Sequence, residues 1–337
     1  MSNPLLTSLL RDVSRTFYLT MRVLPRAVRP QISIAYLLAR TSDTVADTEL
    51  VPVQSRLAAL RALRAAIAAE NGPAPDFAGL RDGQALAAER ILLERCQESL
   101  GLLRGLERAD GRLVRDVLDI IISGQELDLT RFAAAAPGRI VALETEEELD
   151  DYTYRVAGCV GEFWTRMCRA HLLTGPGHDD AWLLRQGARF GKGLQLINIL
   201  RDLPRDLLQG RCYFPRVALA AVDLTPASLL LAENESRFRP AYDPYLERAA
   251  GHLAAGWEYT RRLPWAEVRL RLACAWPLLI GAGTLRKLRR ENILDSTRRI
   301  KISRSESRSL IFRSILLYPW PAAWNAQLNR ELGRQGR

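Results

Sequence analysis

Apolar residues recur every three or four positions along most of this chain, and stretches that alternate apolar with polar residues are scarce. That period belongs to α-helices that bury one face. Leu, Ala and Arg, all good helix formers, fill the periodic segments. Pro25 and Pro30 separate a first helix near 4–22 from a second that carries ARTSDTVAD. Segments 52–70 and 84–107 read as amphipathic helices joined by NGPAPD at 71–76. A further helix is expected over 110–131, and Thr145 with Glu148 forms a capping box ahead of one that runs to His171. After Gly175-Pro176-Gly177 a helix covers 180–207, with Pro204 inside it removing a backbone donor and predicting a kink or early unwinding. Later helices are expected over 226–233, 241–262 and 265–290. The pattern shows no repeat and no interdomain linker. It predicts an all-α protein, a single helical domain over 1–320 followed by a tail at 321–337.

Two pairs of aspartates stand out against that background: Asp43 with Asp47, and Asp202 with Asp206. Residues four apart share one face of a helix. Two such faces turned toward each other would put four carboxylates around one cavity. Hard divalent cations take oxygen ligands, and Mg²⁺ commonly joins one or two carboxylates to substrate phosphates. Spacing alone is weak, because Glu94 and Glu98 repeat it with Arg90 nearby and read as a solvated, ion-paired face. The Asp pairs keep different company. Ala39, Tyr36 and Ile32 precede Asp43 on its stripe, and Asn198, Gln195 and Gly191 precede Asp202. Both pairs are therefore expected to face inward.

Composition narrows the classes. The chain has 337 residues, 48% of them hydrophobic, which is ample for a large core. A net charge of +10 calls for an anionic partner such as nucleic acid, acidic lipid or a polyphosphate. Scattered arginines without zinc-finger spacing or an RNA-binding aromatic signature argue against nucleic acid. The densest basic stretch is Arg286–Arg290, continued by Arg298, Arg299, Lys301 and Arg304; it reads either as a solvated helix end or as a clamp for phosphates. Five cysteines without a CxxC pair fit a reducing compartment and buried thiols. The N-terminus lacks the pattern of a signal peptide. SLIFRSILLYPWPAAW, near the C-terminus, is apolar but short and broken by Arg313, Pro319 and Pro321, so it should pack on the body or touch a membrane surface rather than cross it. GAGTLR at 281–286 lacks the third glycine and the strand context of a dinucleotide fingerprint, and reads as helical core.

SRTF (14–17), ARTSDTVAD (39–47), YTYRVAGCVG (152–161) and NILRDLPRD with GRCYFP (198–215), in this order, resemble the squalene/phytoene synthase family of head-to-head prenyltransferases. The resemblance implies an isoprenoid-synthase-type helical bundle around a central cavity, two farnesyl diphosphates as substrate, and Mg²⁺ held by Asp43, Asp47, Asp202 and Asp206. It further implies diphosphate binding by Arg15, Arg40, Arg201, Arg211 and Asn198, and a catalytic role for Tyr152 in ionisation or proton handling. Gln125 and Asp128 in SGQELDL could support the site from a neighbouring helix. RLACAWPLLIGAGTL (271–285) and KISR (301–304) are similar to squalene-synthase segments, and through the second the resemblance implies NADPH contacts at Lys301 and Arg304. Leu278, Ser303, Pro204 and Arg205 depart from the family's pattern and weaken the reductase half more than the diphosphate half. Squalene synthase is the leading expectation. Phytoene, dehydrosqualene or hydroxysqualene synthases, which do not use NADPH, are the alternatives, and a catalytically silent helical binding protein is the reading from another class. A cytoplasmic protein is expected, with peripheral membrane contact and oligomeric state left open.

Overall fold

The computed structural model describes residues 4–14, 17–48, 50–84, 86–175, 177 and 179–333. Helices carry nearly all of the regular structure, as the apolar period predicts. Two compact units divide the chain: Met1–Ala133 with Glu162–Asp179, and Ala134–Gly161 with Asp180–Arg337.

The first unit contains α1 (Ser8–Ser14), α2 (Phe17–Val23), α3 (Arg29–Ala46), α4 (Val53–Ala68), α5 (Ala78–Arg81), α6 (Ala87–Glu94), α7 (Cys96–Arg104) and α8 (Arg108–Arg131). Pro30 in the first turn of α3 suits a position whose N–H has no helical partner. α3 packs against α4, α6, α7 and α8, with Leu37, Leu38, Leu60, Leu92, Leu100 and Leu118 sealed from solvent. Each such leucine contributes about 1.5–3 kcal/mol through burial. A buried acid, Asp110, is satisfied twice: Gln31 Nε2 donates at 2.9 Å and His171 Nε2 lies 2.8 Å from the other oxygen. The expected helix over 84–107 is two helices, broken at Arg95 by a tight turn in which the Glu98 amide donates to the Arg95 carbonyl at 3.1 Å. Neither Gly nor Pro marks that break in the sequence.

The second unit contains β1 (Val141–Ala142), α9 (Glu146–Thr153), a π-helical turn (Tyr154–Gly158), α11 (Asp180–Leu208), β2 (Arg211–Cys212), α12 (Arg216–Ala220), α13 (Glu235–Arg262), α14 (Val268–Leu288), α15 (Arg304–Leu316), α16 (Pro321–Asn325) and α17 (Gln327–Glu331); α10 (Cys159–His171) follows the π-helical turn and belongs to the first unit from Glu162 on. Thr145 caps α9 by accepting from the Glu148 amide, whereas Glu148 answers to the Glu144 amide rather than to Thr145. β1 and β2 pair in parallel, Val141 with Arg211 and Ala142 with Cys212. α13 begins earlier than expected and runs through Pro240 and Pro244. Phe238 and Tyr242 hold those first turns by packing on Phe214, with ring centroids 5.1 and 5.6 Å away. GAGTLR lies within α14, as the core reading requires. α14 is long and apolar enough to cross a membrane, but 78% of its apolar window is buried in the protein. Arg271, buried on α14, sits between Trp265 and Trp324 at 4.5 and 4.7 Å and donates to the Leu263 carbonyl at 2.6 Å. Ring faces and carbonyl oxygens thus offset part of the cost of burying its charge, while burial still lowers its pKa and its Nε has no hydrogen-bond partner among the described residues.

α11 does not unwind at Pro204 but continues to Leu208. Proline leaves the carbonyl four residues back without its helical donor. That carbonyl belongs to Leu200, and the buried Tyr242 hydroxyl donates to it at 3.1 Å. Tyr242→Phe should destabilise the protein by about 1–2 kcal/mol, the cost of a stranded buried acceptor. The loss should shrink in a Pro204→Ala background, where the alanine supplies the missing N–H. Chemical denaturation of the four proteins in a double-mutant cycle measures this coupling.

Candidate active site

In the first unit, α3 presents Arg40 and Asp43, and Asp47 follows at its end, all within two turns. Gln125 Nε2, from α8, donates to Asp43 Oδ1 at 2.5 Å, so the support expected of Gln125 is a direct contact with a carboxylate of the pair. Arg40 lies 3.9 Å from Asp43 and is hydrogen-bonded to Glu89. Protein packed around Asp43 pushes its pKa up to about 6; the Asp47 charge adds to the rise, and Arg40 and Gln125 oppose it. Yet 45% of the Asp43 side chain is still reachable by solvent, so the carboxylate is surrounded without being sealed. Asp47 departs from the inward expectation. α3 ends at Ala46, Asp47 is its C-cap residue with its amide bonded to the Asp43 carbonyl at 2.8 Å, and its side chain is exposed.

In the second unit, α11 carries Asn198, Arg201, Asp202 and Asp206. Asp202 accepts from Arg201 Nε and Nη2 at 3.0 and 2.5 Å, and from Arg299 Nε and Nη2 at 3.0 and 3.1 Å. Burial works to raise the Asp202 pKa, but hydrogen bonds and charge from the two guanidiniums outweigh it and hold the carboxyl below its usual range. Asn198 Nδ2 donates to Gln195 Oε1 at 3.3 Å. Asp206, Arg211 on β2 and Asn198 are all half-buried. Tyr152, on α9, stacks on Tyr213 with centroids 4.7 Å apart and an interplanar angle of 25°.

The small residues of YTYRVAGCVG act as a spacer between backbones. A Cβ built on Gly191 would lie 1.9 Å from the Ala157 carbonyl oxygen, and one on Gly161 would lie 1.8 Å from that of Gly187. The turn that follows Tyr152 is therefore pressed directly onto α11, which fixes the tyrosine's helix relative to Asp202's within the same unit.

The basic stretch divides. Arg286 pairs with Glu331, Lys287 with Glu306 and Arg289 with Glu247, each at 2.7–2.9 Å, so these three serve the fold. Lys301 and Arg304 are exposed. Ser303, the residue that departs from the family's basic segment, is the N-cap of α15 in a full capping box with Glu306. Arg15 lies outside the described residues. The decoy pair is solvated as expected, Glu98 bonded to Arg95 at 2.6 Å and Glu94 lying 3.9 Å from Arg81.

Three residues with direct roles in these contacts are not singled out by the sequence pattern. Glu89, which positions Arg40, carries no local signal. Arg299 is visible only as part of a basic run. Tyr213 stands in GRCYFP two residues after Arg211, where the motif itself points.

Among the described residues no group of three or more His, Cys, Asp or Glu side chains could hold a metal ion. An all-protein cage is thus absent from them. The donors present are carboxylate oxygens, and Asp43 is an anion short of compensating charge. That set fits Mg²⁺, which is satisfied by one or two carboxylates once phosphate oxygens and water complete its shell.

A family model described as squalene/phytoene synthase matches residues 10–306. A presqualene diphosphate synthase of Rhodopseudomonas palustris is 31% identical over 74% of this chain and 75% of its own length. A squalene synthase of Schizosaccharomyces pombe is 25% identical over 92% of this chain and 64% of its own. Among solved structures, the complex of TcSQS with the ligand E5700 superposes with a TM-score of 0.75 over 98% of both chains at 19% identity, a likeness of fold.

Proposed function

Because the chain belongs to the squalene/phytoene synthase family, we propose that it condenses two farnesyl diphosphates head to head through presqualene diphosphate, and with NADPH carries the product on to squalene. The family makes it an enzyme of the prenyltransferase type. The observation that carries the finer reading is the pairing, in each unit, of motif carboxylates with guanidiniums: Asp43 with Arg40, and Asp202 with Arg201 and Arg299. Carboxylates suit Mg²⁺ and guanidiniums suit phosphate oxygens, so each cluster offers both halves of a metal–diphosphate site.

Mg²⁺, when bound with substrate, neutralises charge on the departing diphosphate. In this proposal Asp43 and Asp47 would hold it in the first unit, and Asp202 and Asp206 would hold a second ion in the second unit. Arg40, Arg201, Arg211 and Arg15, with Asn198, meet the phosphate oxygens. Asp202 would exchange its guanidinium partners for metal while Arg201 and Arg299 turn to phosphate, an exchange of one set of charge-assisted bonds for another. Tyr152, held against Tyr213, can pass a proton to or from the departing diphosphate, and the two ring faces can stabilise an allylic cation nearby. Lys301 and Arg304, exposed and cationic, are the residues that would meet NADPH, whose hydride would quench the final cation.

A second reading ends at presqualene diphosphate, or quenches the cation by proton loss or water, without NADPH. It is favoured by the ion pairs that occupy Arg286, Lys287 and Arg289, which leave few cations of the basic stretch for a dinucleotide. Calorimetry with a farnesyl thiodiphosphate, which binds but ionises slowly, tests what both readings share. Binding should require Mg²⁺ and should weaken at least about tenfold when EDTA is added, as expected when the metal joins protein to phosphate. Equal affinity in EDTA would remove the metal from the proposal.

A further inference from the structure

α15 is apolar on two sides, and the protein covers only one. Its inner side buries Leu310 and Ser314, and Trp276 Nε1 and Trp324 Nε1 both donate to Ser314, at 3.0 Å to the hydroxyl and 3.1 Å to the carbonyl. Its outer side exposes Phe312, Ile315 and Leu316 at 68, 49 and 54%, and Trp320 follows one turn later at 58%. Helical spacing puts residues 308, 312, 315 and 316 on one arc. The first half of that arc carries Arg304, Ser305, Arg308 and Ser309, all exposed. The arc is therefore basic and hydroxylic toward its N-terminal end and apolar toward its C-terminal end. Single exposed apolar residues need no explanation, but a run of them along one helix face marks an interaction surface.

The charges say what kind of surface it meets. Among the described residues neither Arg304 nor Arg308 is in an ion pair, and the one acid of α15, Glu306, is taken up by Lys287 and the Ser303 amide. The face thus joins uncompensated cations to an apolar patch, on a chain of net charge +10. An anionic phospholipid surface supplies both complements side by side: phosphates for the arginines and acyl chains for Phe312 and Leu316, with an indole at the boundary. We propose that α15 docks this chain onto an anionic membrane surface, its C-terminal half dipping into the headgroup–acyl boundary and Arg308 lying among the phosphates. The inference stands on this face alone and does not depend on the reaction proposed above.

Co-sedimentation of the full chain with vesicles tests it, using phosphatidylcholine alone and phosphatidylcholine containing phosphatidylglycerol. The wild type should pellet with the anionic vesicles. The double variant Phe312→Ser/Leu316→Ser, with an unchanged circular dichroism spectrum, should bind them at least about tenfold more weakly. Arg308→Gln should weaken binding to the anionic vesicles and leave the weak binding to phosphatidylcholine unchanged. Three results would overturn the proposal: a wild type that stays in the supernatant with anionic vesicles, a double variant that pellets as the wild type does, or a dimer in light scattering that the double variant dissolves, which would assign the face to a second copy.

Discussion

Asp43→Asn and Asp202→Asn should each lower turnover of farnesyl diphosphate by about a thousandfold or more, the loss expected when a carboxylate that helps a metal to neutralise a leaving group is removed. Their effects on stability should differ in direction. Asp43 is a surrounded carboxylate repelled by Asp47, and its raised pKa records that its charge is unfavourable in the fold. Asparagine removes the charge and still offers Gln125 an oxygen, so the variant should be at least as stable as the wild type. Asp202 is the reverse case, its charge favoured by Arg201 and Arg299. Asparagine there leaves two guanidiniums without their anion, at a cost of about 2 kcal/mol. Activity assays well below the melting transition, set beside thermal melts of both variants, check this. Activity lost in both with stability moving in opposite senses ties the loss to chemistry. A fully active Asp43→Asn enzyme would remove Asp43 from the site.

Gly191→Ala should be among the most destabilising single-atom additions in the protein. The new Cβ would lie 1.9 Å from the Ala157 carbonyl oxygen and 2.6 Å from its carbon, so a backbone segment rather than a flexible side chain would have to move. Overpacking of this kind costs about 3 kcal/mol or more. At roughly 2 °C per kcal/mol in a large chain, the melting temperature should fall by about 6 °C. Gly161→Ala meets the Gly187 carbonyl oxygen at 1.8 Å and should behave alike. Gly251, inside α13, has among the described residues nothing but its own helix backbone near its built Cβ and serves as the control. Gly251→Ala should stabilise by about 0.5–1 kcal/mol through helix propensity. Thermal melts of the three variants decide it, and equal stabilities would refute the close-packed turn.

The long periodic helices are legible in the amino-acid pattern. α4, α8 and α11 fall within a few residues of the expected segments, and α3 follows Pro25 with Asp43 on it, because each repeats its apolar face over many turns. What is not legible depends on tertiary partners. α13 starts before two prolines because Phe238 and Tyr242 pack on Phe214, and α11 survives Pro204 because a tyrosine on another helix replaces the lost donor. No window of local sequence contains that information. The candidate site shows the same division. The Asp spacing and the supporting Gln125 can be read from the chain, whereas the Arg299–Asp202 pair joins residues 97 positions apart. The exposure of Asp47 follows from where α3 ends, and helix ends are the least readable feature of a periodic pattern. For Arg286, Lys287 and Arg289 the choice between a phosphate clamp and a structural role turns on acids at 331, 306 and 247, too distant in sequence to be recognised as their partners.

The proposed reaction is tested most directly by mass spectrometry of the products formed from farnesyl diphosphate and Mg²⁺, with and without NADPH. Head-to-head condensation predicts presqualene diphosphate when NADPH is absent and squalene only when it is present. A C30 product that is the same with and without NADPH would contradict the reductive step. Unchanged farnesyl diphosphate under both conditions would contradict the proposed condensation itself.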